Sequence, residues 1–380
     1  MKTLLLIGFV LIAACAFSQD TLEKKKTWTL SGYLKELVWV RFDKNFKYPT
    51  ATNLLHNRIN AKWNPSKNWN GSLEVRNRFY WGEDVHIIPG FKNSLRNENE
   101  AINLSVNWID AKSALLNSNI ERLWIEYRKL KWNIRVGRQR INWGINNTWN
   151  PNDLFNTYNF LDFDYEERPG SDAVKGQYLI NDFSTVEIAF AGTGHKNIAA
   201  AKYFTNFKKY DLQANAGFYK GIFTAGLGWA GNISEAGFKG EVQLYTKDKD
   251  TSSNVLAAIE SDYMLKNGWY LSSALLYNQR GLNSPLHEWT KLSFQPSPRN
   301  LMPTKWSILL NTSKEFTPLF TGSLNVVYAP GVNLLILFPT LRYNLTTDLD
   351  LDFVWQSFFA ETTRFEAVSH TGYLRLKWSF

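Results

Sequence analysis

The stretch Thr371-Gly372-Tyr373-Leu374-Arg375-Leu376-Lys377-Trp378-Ser379-Phe380 decides the fold. Side chains alternate across a strand, so Leu374, Leu376, Trp378 and Phe380 share one face while Tyr373, Arg375, Lys377 and Ser379 share the other. A chain end is ordinarily frayed and polar, whereas this one stays amphipathic to its last residue. A strand with an apolar outside and a charged inside suits a sheet closed into a barrel in lipid.

This strand resembles the closing strand of bacterial outer-membrane β-barrels. The resemblance implies that Tyr373, Leu374, Leu376, Trp378 and Phe380 form the signal read by the barrel-assembly machinery. The other end agrees. Lys2, an apolar run over residues 4–14 and the small residues near Ala16-Phe17-Ser18 have the layout of a secretory signal peptide, so residues 1–18 are read as signal and 19–380 as barrel. Ile12-Ala13-Ala14-Cys15 offers a rival lipoprotein cleavage box. Under the first cleavage no cysteine remains, which excludes disulfides and thiolate chemistry.

Composition points the same way. The chain has 16 Trp, 17 Tyr and 25 Phe, yet its mean hydropathy is −0.32. Barrels reconcile the two, because one face of each strand meets lipid, the other meets water, and aromatic girdles sit at both interfaces. The formal charge is +9. For an exported barrel this favours anionic lipid or an anion-attracting pore over nucleic acid.

Alternation bounded by turn residues gives about eighteen strands (16–18), from one near Trp28 to one near Phe365. The expected fold is all-β: a transmembrane, antiparallel, up-and-down barrel in one domain. Long connections fall at one parity (residues 42–52, 81–118, 144–171 and 281–303) and short ones at the other (64–68, 129–131, 181–183, 266–267 and 346–347). Short periplasmic turns and long outer loops have this asymmetry. Residues 102–109 read as a further strand or a folded part of their loop.

Several strands carry charge on one face. Arg58 and Lys62 share a face with His56, Arg76 and Arg78 with Glu74, and Arg122 and Arg128 with Trp124 and Glu126. An Arg facing lipid at the midplane costs roughly 2–4 kcal/mol, so these faces are expected to line the lumen. Such a wall either braces the barrel through Arg–Glu pairs or attracts anions, as rings of Arg and Lys do in pores.

Alternation fails around Gly137, where Arg135 and Arg138 would face opposite ways. A bulge at Gly137 would bring Arg138, Arg140 and Asn142 into the lumen with Arg135. Trp143, Trp149 and the Asn150-Pro151 turn would then sit at the outer rim or fold inward as a constriction. Gly137-Arg138-Gln139 with Trp143-Gly144, followed by Asn150-Pro151-Asn152-Asp153-Leu154-Phe155-Asn156, is similar to the signature of alginate-export porins and related barrels. The likeness is detailed over roughly residues 120–175. It implies an eighteen-stranded barrel whose basic lumen passes an anionic polymer or solute, with Arg135, Arg138 and Arg140 lining the pore.

The remaining signals are weaker. Gly226-Leu227-Gly228-Trp229-Ala230-Gly231 fits a dinucleotide fingerprint but opens no helix, and small residues at a tight hairpin explain it better. Asp348, Asp350 and Asp352 are strung along a strand rather than gathered around a cation, and the five His are scattered. No catalytic, cofactor or metal site is expected. The expected function is passive passage or export of anionic solutes or an anionic polysaccharide across the outer membrane. The alternative is a plugged barrel anchoring surface polysaccharide, with Trp143, Trp149, Phe155, Tyr158 and Phe160 stacking on sugars; a barrel hydrolase is a third.

Overall fold

The structure, a computed structural model, describes residues 26–95, 100–157, 161–162, 164, 169–194, 196–247, 252–285 and 296–380. The signal segment, Cys15, Tyr158, Phe160, His195 and His287 lie outside these residues.

The chain runs β1 (Trp28–Asp43), β2 (Thr50–Trp63), β3 (Trp69–Gly82), α1 (Glu83–Ile87), α2 (Phe91–Ser94), β4 (Ser105–Ala111), β5 (Ala114–Lys129) and β6 (Trp132–Gln139). It continues with β7 (Ser171–Asn181), β8 (Ser184–Gly192), β9 (Ile198–Phe207), β10 (Tyr210–Tyr219), β11 (Ile222–Ile233), β12 (Ala236–Tyr245) and β13 (Asn254–Met264). The last six are β14 (Trp269–Asn278), β15 (Trp306–Thr317), β16 (Phe320–Ala329), β17 (Leu334–Thr346), β18 (Leu349–Glu361) and β19 (Phe365–Ser379).

Every pairing between these strands is antiparallel, and β19 returns to β1 with Tyr33 opposite Ser379 and Asp43 opposite Ser369. The sheet is therefore closed, with no edge left to pair with another chain. Phe380 completes the seam, its N–H donating to Gly32 O at 3.0 Å while Gly32 N–H donates to Phe380 O at 2.8 Å.

Eighteen of the nineteen strands are staves of the barrel. β4 is not a separate stave: it pairs with β5 from Asn119 upward, while β6 pairs with the same edge from Leu123 downward. The connection after β3 thus supplies the upper half of a stave that β6 leaves short.

Alternation holds around the wall. Ile134 and Val136, Val174, Ile188, Leu227 and Leu310 are exposed outside. Their neighbours Lys175, Glu187, Gly226 and Leu309 point inward. At one end the turns are tight, with two residues between β5 and β6, β7 and β8, β9 and β10, and β11 and β12. Leu130, Lys208, Lys209 and Ser234 take positive φ of 53°, 49°, 70° and 56° there, the left-handed geometry that two-residue hairpins require. The long connections that follow β3, β6 and β14 leave from the opposite end.

Candidate pore and its inward-folded connection

The inner wall from β19 through β1, β2, β3 and β5 to β6 is a ladder of paired charges. Arg58, on β2, reaches Glu74 at 2.5 Å and also pairs with Glu121. Arg76 meets Glu121 at 2.6 Å. Lower down, Arg135 Nε donates to Glu126 at 2.8 Å, and its guanidinium lies 4.1 Å from the Trp124 ring centre. Arg128 takes the other side of Glu126 at 2.5 Å. Arg375 and Arg342 share Asp352 at 2.8 and 2.6 Å.

Arg78 differs, because its acceptors are neutral: Asn117 Oδ1 at 3.1 Å and Leu95 O at 3.3 Å. Arg122 is buried and donates to Glu121 O at 2.8 Å. Lys62 is exposed toward the tight-turn end of β2. Arg140 is exposed immediately after β6.

The expected bulge at Gly137 is absent. Leu123 faces Arg138, Trp124 faces Gly137 and Glu126 faces Arg135 without a register shift, and the β7 side is equally regular. Gly137 instead carries φ +115° in an unbroken ladder, and a Cβ there would lie 2.2 Å from Leu123 O. Arg138 therefore keeps the parity of the outward Ile134 and Val136, not of Arg135. It is buried because residues 100–102 cover it. It donates to Asp172 at 2.8 and 3.0 Å, to Ile120 O at 2.9 Å and to Ile102 O, and it meets Glu100 at 3.1 Å. It clamps the joint where β4 takes over from β6.

The irregularity that alternation missed lies in β5. Arg122 faces Glu74 and Ile120 faces Val75, leaving Glu121 as the extra residue. Glu121 and Arg122 both turn inward, and Glu121 joins Arg58 and Arg76. The segment Ile120-Glu121-Arg122 contains no Gly or Pro to signal it.

Residues 141–156, in the connection between β6 and β7, fold into the bore. Ile141, Trp143, Trp149, Leu154 and Phe155 are at most 2% exposed and pack on inward Ala, Leu and Tyr side chains of β7 to β17. Aromatic stacking on an external sugar is thus closed to Trp143, Trp149 and Phe155.

Carboxylates anchor the segment by its backbone. Glu241 accepts the N–H groups of Ile145, of Asn146 at 2.9 Å and of Asn152 at 2.8 Å. Glu260 accepts those of Asn147 and Thr148 at 2.9 and 3.2 Å. Trp143 Nε1 donates to Glu187, and Gln213 donates to Trp143 O at 2.8 Å.

Gly226 and Gly228 form the floor beneath this segment, in mid-strand rather than at a hairpin. A Cβ at Gly228 would lie 2.9 Å from both Asn152 Nδ2 and Ile145 Cδ1, and one at Gly226 would lie 2.6 Å from Asn152 Oδ1. Close approach of the connection, not nucleotide binding or a turn, accounts for this pair.

The far end of the connection crosses to the basic wall. Gln356 donates to Leu161 O at 2.8 Å. Asp164 receives Lys35 at 2.6 Å and Arg375 at 3.2 Å, with His56 Nδ1 at 4.0 Å. Burial and the neighbouring Asp164 carboxylate push Asp162 up to about 6. The described parts of the connection are therefore held by acids of β12 and β13 on one side of the lumen and by cations of β1 and β19 on the other. Among the described residues no group of His, Cys, Asp and Glu is placed to hold a metal ion.

A scan of protein-family models and a search of curated protein sequences give no match. Solved structures do match. Pseudomonas aeruginosa OccK9 (OpdG) superposes with a TM-score of 0.61 at 10% identity, over 93% of this chain and 98% of its own. Acinetobacter baumannii OccAB4 gives 0.60 at 10% identity over 95% and 100%. The P. aeruginosa outer membrane protein OprD gives 0.57 at 10% identity over 96% and 97%. The chain thus shares, end to end, the closed eighteen-stranded fold of the OprD and Occ barrels.

Proposed function

We propose that this chain is a porin-type channel of the bacterial outer membrane that passes small anionic solutes by diffusion along its basic inner wall. The observation that carries the reading is the division of the bore. The inward connection packs on the apolar sector of β7 to β17, opposite a polar sector in which Arg and Lys outnumber carboxylates. Unlike-sign solutes are concentrated by such a wall, and like-sign solutes are repelled.

The neighbours in fold include the P. aeruginosa outer membrane protein OprD, which favours a place in the outer membrane. The exposed outer belt fits lipid, and the terminal residues Tyr373 to Phe380 fit recognition by the assembly machinery. In this reading the tight turns and both ends of the barrel lie in the periplasm. Arg58, Arg76, Arg78, Arg122, Arg128 and Arg135 line the path, with Lys62 and Arg140 near its mouths.

A segment tied to both sides of the bore favours small solutes over a polymer such as alginate. The same burial of Trp143, Trp149 and Phe155 disfavours the polysaccharide-anchoring alternative. Proteoliposome swelling tests the proposal: a small dicarboxylate should enter faster than a neutral sugar of equal size, and a diamine more slowly. Equal rates for all three would overturn the anion preference.

A further inference from the structure

The bulge in β5 has an electrostatic consequence for the channel. Arg58 and Arg76 face each other in register on β2 and β3 and form one rung of the wall. Alternation carried from the buried Asn117 and Asn119 turns Glu121 inward, whereas alternation carried back from the exposed Leu123 would turn it outward. The extra residue lets Glu121 and Arg122 both face the bore, where Glu121 is 3% exposed and both its oxygens are taken, Oε2 by Arg58 and Oε1 by Arg76 at 2.6 Å. A single carboxylate thus offsets two guanidiniums from two neighbouring strands.

Holding an Arg on this wall does not require an acid. One step along β3, the buried Arg78 is held by the neutral amide of Asn117 at 3.1 Å. What an acid adds at position 121, and an amide would not, is negative charge in the bore. Removing it would take one negative charge away from the rung and leave Glu74 paired with Arg58.

We infer that Glu121 is a specificity-determining residue of the channel: seated at the β-bulge beside Arg122, its carboxylate limits the anion preference of the Arg58–Arg76 rung. This inference rests on the channel reading above. A unit charge acting over about 8 Å of a water-like dielectric changes the occupancy of each ion by about 2.4-fold in opposite directions. The anion-to-cation permeability ratio should then change by about fivefold. Lowering the salt should enlarge the change, because screening weakens.

The test is the reversal potential of the purified protein in planar bilayers under a KCl gradient, for the wild type, E121Q, R58Q and R58Q/E121Q. E121Q should raise the chloride preference by about fivefold, R58Q should lower it, and the double variant should return near wild type. A wild-type reversal potential in E121Q, with unchanged conductance, would overturn the inference and leave Glu121 as a brace. If E121Q does not assemble, R58Q against R58Q/E121Q isolates the same carboxylate, and identical reversal potentials there overturn it equally. A wild type that prefers cations would defeat the anion reading of the channel. A fivefold shift in E121Q would still support the role of Glu121 in that case.

Discussion

Replacing Glu241 by Gln should loosen the segment that crosses the lumen, and the size of the effect follows from the bonds lost. One carboxylate oxygen of Glu241 accepts the N–H groups of Ile145 and Asn146, and the other accepts that of Asn152. Gln keeps one acceptor and presents an NH2 group where the second stood. The Asn152 N–H then faces a donor in a fully buried site, which costs about 1–3 kcal/mol. The two surviving bonds change from charge-assisted to neutral, roughly halving each, or about 1 kcal/mol apiece. The total is on the order of 3–5 kcal/mol, comparable with everything Glu260 contributes through Asn147 and Thr148. Docking of residues 145–152 should therefore become marginal while the barrel, closed by its own ladder, persists. Single-channel recording should show a larger and noisier conductance in E241Q than in the wild type, and limited proteolysis should cut within residues 140–170. Wild-type conductance together with wild-type protease resistance would refute the idea that Glu241 holds the segment in the bore.

Three further outcomes are expected. G228V should push Asn152 and Ile145 off the floor of β11, since the added Cβ alone would lie 2.9 Å from each; the variant should phenocopy E241Q in conductance, and an unchanged recording would count against the floor. R138Q leaves Asp172 and Glu100 without their buried cation and should cost about 3–5 kcal/mol, read as a lower temperature for the heat-induced gel shift of the folded barrel; no shift would show that Arg138 is not the clamp at the joint of β4 and β6. Asp162, with its folded value raised to about 6 from an ordinary 3.8, favours the folded connection fully below 3.8, and that contribution is lost as pH rises through 6. Residues 140–170 should thus resist protease better at pH 5 than at pH 7.5, and D162N should flatten that difference; an equal pH dependence in D162N would assign it elsewhere.

Much of the barrel was legible in the sequence because membrane strands repeat one simple pattern. The terminal Leu374, Leu376, Trp378 and Phe380 face outward and Arg375 inward, as alternation requires, and the strands read near Trp28 and Phe365 begin at those residues. The tract over residues 102–109 holds the first five residues of β4 (Ser105–Ala111), which completes the stave that β6 leaves short. Local breaks in the pattern were harder to read. Gly137 permits either a bulge or a positive φ within a regular ladder, and only its register with Leu123 and Asp172 decides between them. Glu121 gave no warning, since the residue that bulges is chosen by pairing with β3 rather than by its own type. The inward path of residues 140–170 depends on Glu241 and Glu260, acceptors about a hundred residues away for Asn146 and Asn147. Their partners are backbone amides that carry no side-chain signal. Gly226 and Gly228 were visible as unusual, but their meaning lies in what passes over them.

The most direct test of the account is single-channel recording of the purified wild-type protein in a planar bilayer. Stepwise insertions, each adding a discrete conductance with a reversal potential biased toward chloride, are the predicted result. A folded, heat-modifiable barrel that inserts yet carries no ion current would contradict it.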